Sequence, residues 1–412
     1  MRIRSPRLRK AFRIASASLF VLASSLAASA QDAQEWSGRI SVELRGFFLT
    51  PDDPGQPRAL ASLSLQPEWY REWRTQTILV VPFVRFDPSD RERTHGDIRE
   101  LSWRMVHDVW ELRAGIGKVF WGVTESQHLV DIINQTDFVE NIDAEDKLGQ
   151  PMVSVSLIRR WGHLDLFMLP GFRERTFAGE KGRLRFPLRV ARELTQYASS
   201  AGKLHVDGAV RWSHVLGGWD MGLSHFRGTG REPQLLFATT DQGEPVLVPR
   251  YVVINQTGLD IQTTASGWLW KLELMSRTGQ GDRFGEGHRF NALTGGFEYT
   301  FANVRGSGGD VGVLAEYLFD DRGRLATTPF EDDIFVGTRL ELNDVQTTRL
   351  LAGAVVDRRT GATFVSLEGS RRLGNRWTMN LETRLFVGLQ PDDYLFGFRN
   401  DDHLQLELSW FF

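Results

Sequence analysis

The chain contains no cysteine. That excludes disulfides, thiolate nucleophiles, cysteine-built zinc sites and any lipobox for a lipid anchor. Nor does any stretch after residue 30 approach the roughly 18 uninterrupted apolar residues of a membrane-spanning helix. A surplus of positive charge is also missing. Six of the 49 Lys and Arg residues fall within the first 13 positions, leaving 43 against 52 Asp and Glu. Such a balance does not suit a protein that must neutralise nucleic-acid phosphates. Catalytic patterns are absent as well: there is no Gly-x-Ser-x-Gly elbow and no phosphate-cradling Gly-Lys-Ser/Thr loop, and the nine histidines are scattered without zinc-like spacing. No enzyme activity, cofactor or metal is expected.

What is present begins with a targeting segment. Arg2, Arg4, Arg7, Arg9, Lys10 and Arg13 form a positive region, residues 15–27 a small-residue apolar core, and Ala28-Ser29-Ala30 a cleavage signal. Residues 1–30 read as a signal peptide and residues 31–412 as a single exported domain.

The exported part alternates. At its end Leu404, Leu406, Leu408 and Trp410 interleave with His403, Gln405, Glu407 and Ser409, and the chain closes on Phe411 and Phe412. Trp377, Met379, Leu381 and Leu385 interleave with Thr378, Asn380, Glu382 and Arg384, and Trp268, Trp270, Leu272 and Leu274 do so with Lys271 and Glu273. Period-two patterning suits a strand between an apolar medium and water. Its recurrence in segments of about ten residues matches the length that crosses a bilayer at a tilt. Eighteen such segments are legible near 38–49, 59–70, 74–86, 97–107, 109–119, 150–160, 162–169, 203–214, 218–227, 251–264, 267–278, 288–301, 309–320, 333–343, 346–356, 362–372, 376–387 and 402–412. Short turns alternate with longer connections, as in an all-β, transmembrane, antiparallel up-and-down β-barrel of about 18 strands (bracketed by 16 and 20) with periplasmic N and C termini. Trp69, Trp73, Trp110, Trp161, Trp219, Trp268, Phe301, Trp377 and Trp410 fall near short turns, while Phe47, Phe48, Phe86, Phe120, Trp121, Phe226, Phe319 and Phe386 fall at the opposite ends. Two interfacial girdles are expected from them. Pro67 and Pro82 fit a strand only at a bulge or a strand end.

If the apolar stripe faces lipid, the opposite stripe lines the interior, with Arg104, Arg113, Arg211, Glu382 and Arg384 as wall residues. So many charges require water or dense salt bridging, and eighteen strands enclose more space than side chains fill. Two external loops stand out. Loop 120–149 carries Glu125, Asp131, Asp137, Glu140 and Asp143. Its Thr124-Glu125-Ser126-Gln127 reads as a capping box, and Leu129, Ile132 and Ile133 as the apolar face of a short helix. Loop 170–202 carries Arg173, Arg175, Arg183, Arg185 and Arg189. Facing each other across the mouth, they would set a transverse field that filters solutes by charge; alternatively they neutralise one another or bind lipopolysaccharide phosphates. Asp143, Glu145 and Asp146 lack calcium-loop spacing and read as solvated acids.

The leader, the alternating strands and the aromatic end resemble the bacterial outer-membrane porins. The likeness spans the exported chain. Residues 115–126, Gly-Ile-Gly-Lys-Val-Phe-Trp-Gly-Val-Thr-Glu-Ser, are similar to the strand-to-loop segment of poorly characterised porin-like proteins, in which a Trp-Gly pair precedes a long inserted loop. The resemblance implies an integral outer-membrane location, a third loop folded into the barrel, and Trp410 and Phe412 as a signal for barrel assembly machinery. It also implies outer-membrane lipid and lipopolysaccharide as surroundings and a trimer as one compatible oligomer. The expected function is passive, charge-selective diffusion of small hydrophilic solutes; the alternative is a loop-plugged barrel serving periplasmic transport or assembly machinery.

Overall fold

The computed structural model describes residues 32–287 and 289–412, so the expected signal peptide lies outside the described residues. The strands are β1 Ala33–Phe47, β2 Ala59–Trp73, β3 Gln76–Phe86, β4 His95–His107, β5 Trp110–Gly117, β6 Gln150–Arg159, β7 Gly162–Pro170, β8 Gln196–Tyr197, β9 Val206–Leu216, β10 Trp219–Thr229, β11 Gln234–Thr239, β12 Pro245–Tyr251, β13 Val253–Ala265, β14 Trp268–Thr278, β15 Phe290–Phe301, β16 Asp310–Asp320, β17 Asp332–Glu341, β18 Arg349–Asp357, β19 Thr363–Leu373, β20 Trp377–Val387 and β21 His403–Phe411. Eighteen of them form one antiparallel sheet. It closes where β1 pairs with β21, from Arg39 opposite Phe411 to Phe47 opposite His403. Every expected wall strand is present, with ends displaced by a few residues.

Burial runs opposite to that of a water-soluble sandwich. On β1 the outward Val42 and Leu44 are 47% and 52% exposed, while the inward Ser41, Glu43 and Arg45 are 1%, 3% and 4% exposed. The polar face is the inside, so the stripe assignment made from alternation holds.

Turn chemistry closes the hairpins on one end. Ser266 and Gly267 both have positive φ, 51° and 86°, matching the twist of the flanking strands in a two-residue hairpin. The prolines sit where the ladder can spare a donor. Register shifts between Val81 and Pro82 against β4, and the β2–β3 pairing steps from Leu65–Val84 to Trp69–Val80, passing over Pro67. This bulge changes the phase of β4: Asp97 and Arg99 point inward, and Ser102 rather than Leu101 resumes the inner face.

Two expectations change. Phe47, Trp121, Phe226 and Phe386 are buried, packing beneath the loops instead of joining an outer girdle, and Phe120 stacks edge-on against His128 at 4.8 Å. Phe48, Phe86 and Phe319 do remain exposed at the long-connection end. The connections around 170–202 and 228–250 also hold structure of their own. β11 and β12 form a hairpin, β8 adds in parallel at Arg250–Gln196, and Val190 bridges Leu247, making a small three-stranded sheet. Its strands are too short to show a period.

Candidate functional site

The connection from β5 to β6 enters the barrel. Asn134 ties its root: the side-chain oxygen accepts Val119 N–H at 2.8 Å, and the amide nitrogen donates to the carbonyls of Gly117 and Leu148 at 2.9 and 2.8 Å. Its apolar residues pack on the inner wall, Val130, Ile132 and Ile133 with Met152, Leu169, Phe226 and Ile254, and Leu129 with Met275 and Phe290. The expected apolar face therefore exists, but the expected helix does not: residues 118–149 contain no helix. The N–H groups that would start one are taken by wall carboxylates. Glu273 accepts Val123 N–H at 2.7 Å and Thr124 N–H at 3.1 Å, and Glu316 accepts Glu125 N–H and Ser126 N–H at 2.8 Å each.

The acids of this loop are docked onto cations. Glu125 meets Arg339 at 2.7 Å and Lys271 at 3.4 Å; Asp131 meets Lys147 at 3.0 Å; Asp137 meets Arg99 at 2.6 Å; Glu140 meets Arg85 at 2.7 Å; Asp143 meets Arg384 at 3.0 Å. The arginines of loop 170–202 find other partners. Arg173 pairs with Asp97 at 2.6 Å, Arg183 with Asp401 at 2.6 Å, Arg185 with Asp53 at 3.6 Å, and Arg189 with Glu193 at 2.7 Å. Arg175 lies over the Phe138 ring at 5.8 Å. The two loops also touch one another. Thr176 Oγ1 donates to Asp137 at 2.7 Å, and Val139 N–H to Thr176 Oγ1 at 3.1 Å. Desolvation accounts for the ion pairing: a buried carboxylate needs a partner at hydrogen-bond range, and wall arginines supply it.

The wall residues expected from alternation face the interior. Arg104 pairs with Glu111 at 3.1 Å, Arg113 with Glu100 at 2.9 Å, and Arg211 with Asp260 at 2.7 Å. Arg384 is buried, bonded to Glu368 at 2.7 Å and 3.5 Å from Glu382. Trp410 pairs across strands with Trp377, and its ring lies 5.4 Å from that of Phe412.

Two cavities flank the loop. One, of about 520 Å³, lies toward the short turns and is lined by nine carboxylates and six Lys or Arg residues. The other, of about 310 Å³, lies toward the long connections, where Phe138, Phe186 and Phe398 join the lining. Asp143 and Glu145 line both. Beside them His128 reaches Glu145 at 3.1 Å and Glu273 at 3.8 Å. Burial works against its charge, yet the two carboxylates more than offset that and push the imidazole up to about 10. Burial likewise opposes ionisation of Asp137, but His95, Arg99 and Thr176 hold it well below the usual carboxylate range.

Sequence reasoning missed Glu273 and Glu316, which look like ordinary members of the polar stripe, and His95. The bulge brings His95 Nε2 within 3.7 Å of Asp137 and 3.5 Å of Glu140, and these three could in principle hold a metal ion. Both carboxylates are already bound by arginine. No linear spacing announces this grouping, because it joins a strand to the inserted loop.

No protein-family profile matches the chain, and no curated protein sequence matches it. Solved structures do. A BenF-like porin from Pseudomonas fluorescens Pf-5 aligns at TM-score 0.52 and 9% identity, covering 92% of this chain and 98% of its own. A mutant of the Rh. blastica porin aligns at TM-score 0.44 and 11% identity, covering 92% and 100%. At 9% identity the former shows a shared fold: this chain has a porin-like 18-stranded barrel.

Proposed function

We propose that the protein is an integral outer-membrane channel for passive diffusion of small hydrophilic solutes, with a preference for cations. The observation that carries this reading is the pair of cavities meeting at Asp143 and Glu145 inside a barrel whose outer face is apolar. An apolar exterior requires lipid. A lumen lined by charge requires water unless every group is paired, and the larger cavity has three more carboxylates than cations. That surplus favours cations in the larger cavity.

The test is conductance of the purified barrel in planar bilayers, with reversal potential in a salt gradient and swelling of solute-loaded liposomes. Ohmic steps with cation preference are expected. Silence in both assays sinks the channel reading.

The dense pairing of loop 118–149 with the wall supports a second reading, a loop-plugged barrel that partners periplasmic transport or assembly machinery. It predicts no conductance and a periplasmic protein co-purifying in stoichiometric amount.

A further inference from the structure

We infer that Glu273 and Glu316 are positioning residues: two wall carboxylates that grip the backbone of the Gly122–Ser126 segment and thereby set how far the inserted loop narrows the barrel. The contacts stand independently of the channel reading; the consequence for conductance rests on it.

Both carboxylates are buried, Glu273 at 0% and Glu316 at 3% exposure. Neither has a Lys or Arg within 4 Å among the described residues, whereas Glu43, Asp207 and Asp260 on the same inner face each have an arginine. What satisfies them is the loop. Glu273 takes, besides Val123 and Thr124 N–H, the Thr124 hydroxyl at 2.7 Å and Val130 N–H at 3.2 Å. Glu316 takes, besides Glu125 and Ser126 N–H, the Ser126 hydroxyl at 2.6 Å. Four successive backbone N–H groups are therefore presented in two pairs to two anions, the way a nest of amides cradles a phosphate.

Gly122 makes the approach possible. Its φ is +146°, and a Cβ there would lie 2.9 Å from His128 Nδ1 and 3.0 Å from Glu273 Oε1. The Trp-Gly-Val-Thr-Glu-Ser stretch at 121–126 thereby acquires a physical role. Trp121 packs on one wall, Gly122 turns the chain, and the following residues offer N–H groups and hydroxyls to β14 and β16 on another. Charge-assisted bonds to N–H groups in a place of restricted water access hold more firmly than neutral ones. A glutamine in place of either glutamate loses an acceptor and turns an N–H₂ toward N–H donors.

The test is hydrogen exchange by mass spectrometry on the full barrel in detergent, read on peptides covering residues 121–131, beside single-channel recording. E273Q and E316Q should speed exchange in that segment about a hundredfold and raise conductance, while D241N, in the exposed turn between β11 and β12, changes neither. Formate added to E273A should refill the cradle and restore slow exchange; a bulky carboxylate such as pivalate should not. Should the glutamine variants fail to give the folded, heat-modifiable species, G122A, whose Cβ would lie 3.0 Å from Glu273 Oε1, loosens the same backbone grip with both carboxylates intact. Unchanged exchange in the glutamine variants that fold, or in G122A where they do not, overturns the inference. Faster exchange in a barrel that never conducts upholds the grip and removes the channel reading instead.

Discussion

The two halves of the inserted loop are fastened to the wall differently, although the side chain of Glu125 in the first half also pairs with wall Arg339 and Lys271. In the first half the wall supplies the carboxylates, Glu273 and Glu316, and the loop supplies backbone N–H groups. In the second half the loop supplies the carboxylates, Asp137, Glu140 and Asp143, and the wall supplies Arg99, Arg85 and Arg384. The difference lies in what each can lose. Backbone donors cannot be deleted by substitution, so the backbone grip of the first half depends on two glutamates and a glycine. The second half is a set of ion pairs in a shared network, where removing one member strands the others. Arg85, for example, joins Glu43 at 3.1 Å to Glu140 at 2.7 Å.

The sharpest way to break this comparison is R85A. It leaves buried Glu140 without an arginine, while Glu43 keeps Arg93 and Arg45, and should cost about 3–5 kcal/mol, seen as a lower urea midpoint for loss of the heat-modifiable barrel. E273Q should leave that midpoint nearly unmoved; an equal drop in both variants would erase the distinction between wall stability and loop position. Next comes G122A. The strain of a side chain at positive φ and its clash with Glu273 should cost about 1–3 kcal/mol, confined to the first half and visible as faster exchange around residues 121–131 with the second half protected.

A smaller effect separates the halves by pH. The pKa of His128 is raised from 6.5 to about 10 by Glu145 and Glu273 against the cost of burial. Its stabilisation is therefore fully present below about 6.5 and is lost as pH rises through about 10. Imidazole NMR should show the His128 signal titrating near that upper value, and H128N should remove any alkaline rise in conductance. A titration near 6.5 would mean the histidine is not held between the two carboxylates. The smallest effect concerns selectivity. D143N and E145Q should each lower the cation-to-anion permeability ratio about twofold, measured as a shift of reversal potential, whereas D241N in the exposed β11–β12 turn should not.

Much of the barrel was legible because its physics repeats. Every wall strand must alternate, and each short turn must reverse the chain, so strands such as β20 and β21 announce themselves within ten or so residues. The polar stripe was equally readable, and Arg113, Arg211 and Arg384 lie where alternation put them. Loop structure was not. The signals at Thr124-Glu125-Ser126-Gln127 are real local preferences, but they were overridden by two glutamates 149 and 190 residues away in the chain. A capping box states which donors need satisfying; it does not say which acceptor will reach them. The same limit explains the buried Phe226 and Phe386, whose positions near strand ends suit a girdle or a packed loop equally well. Arg183 shows it again: seven basic residues in one loop suggest a field, yet its partner Asp401 comes from a different connection.

The seam between β1 and β21 governs when this molecule can exist at all. Ser41 and Ser409 share a hydrogen bond of 2.7 Å across 368 positions of chain. Bringing such distant segments together costs about 5 kcal/mol of chain entropy, and no local contact offsets it until the neighbouring strands are already in register. Closure is therefore a late event in folding, and until it occurs both edges of the sheet are unpaired templates for any other strand. A polypeptide built this way is most vulnerable to mispairing in the interval before its two edges meet.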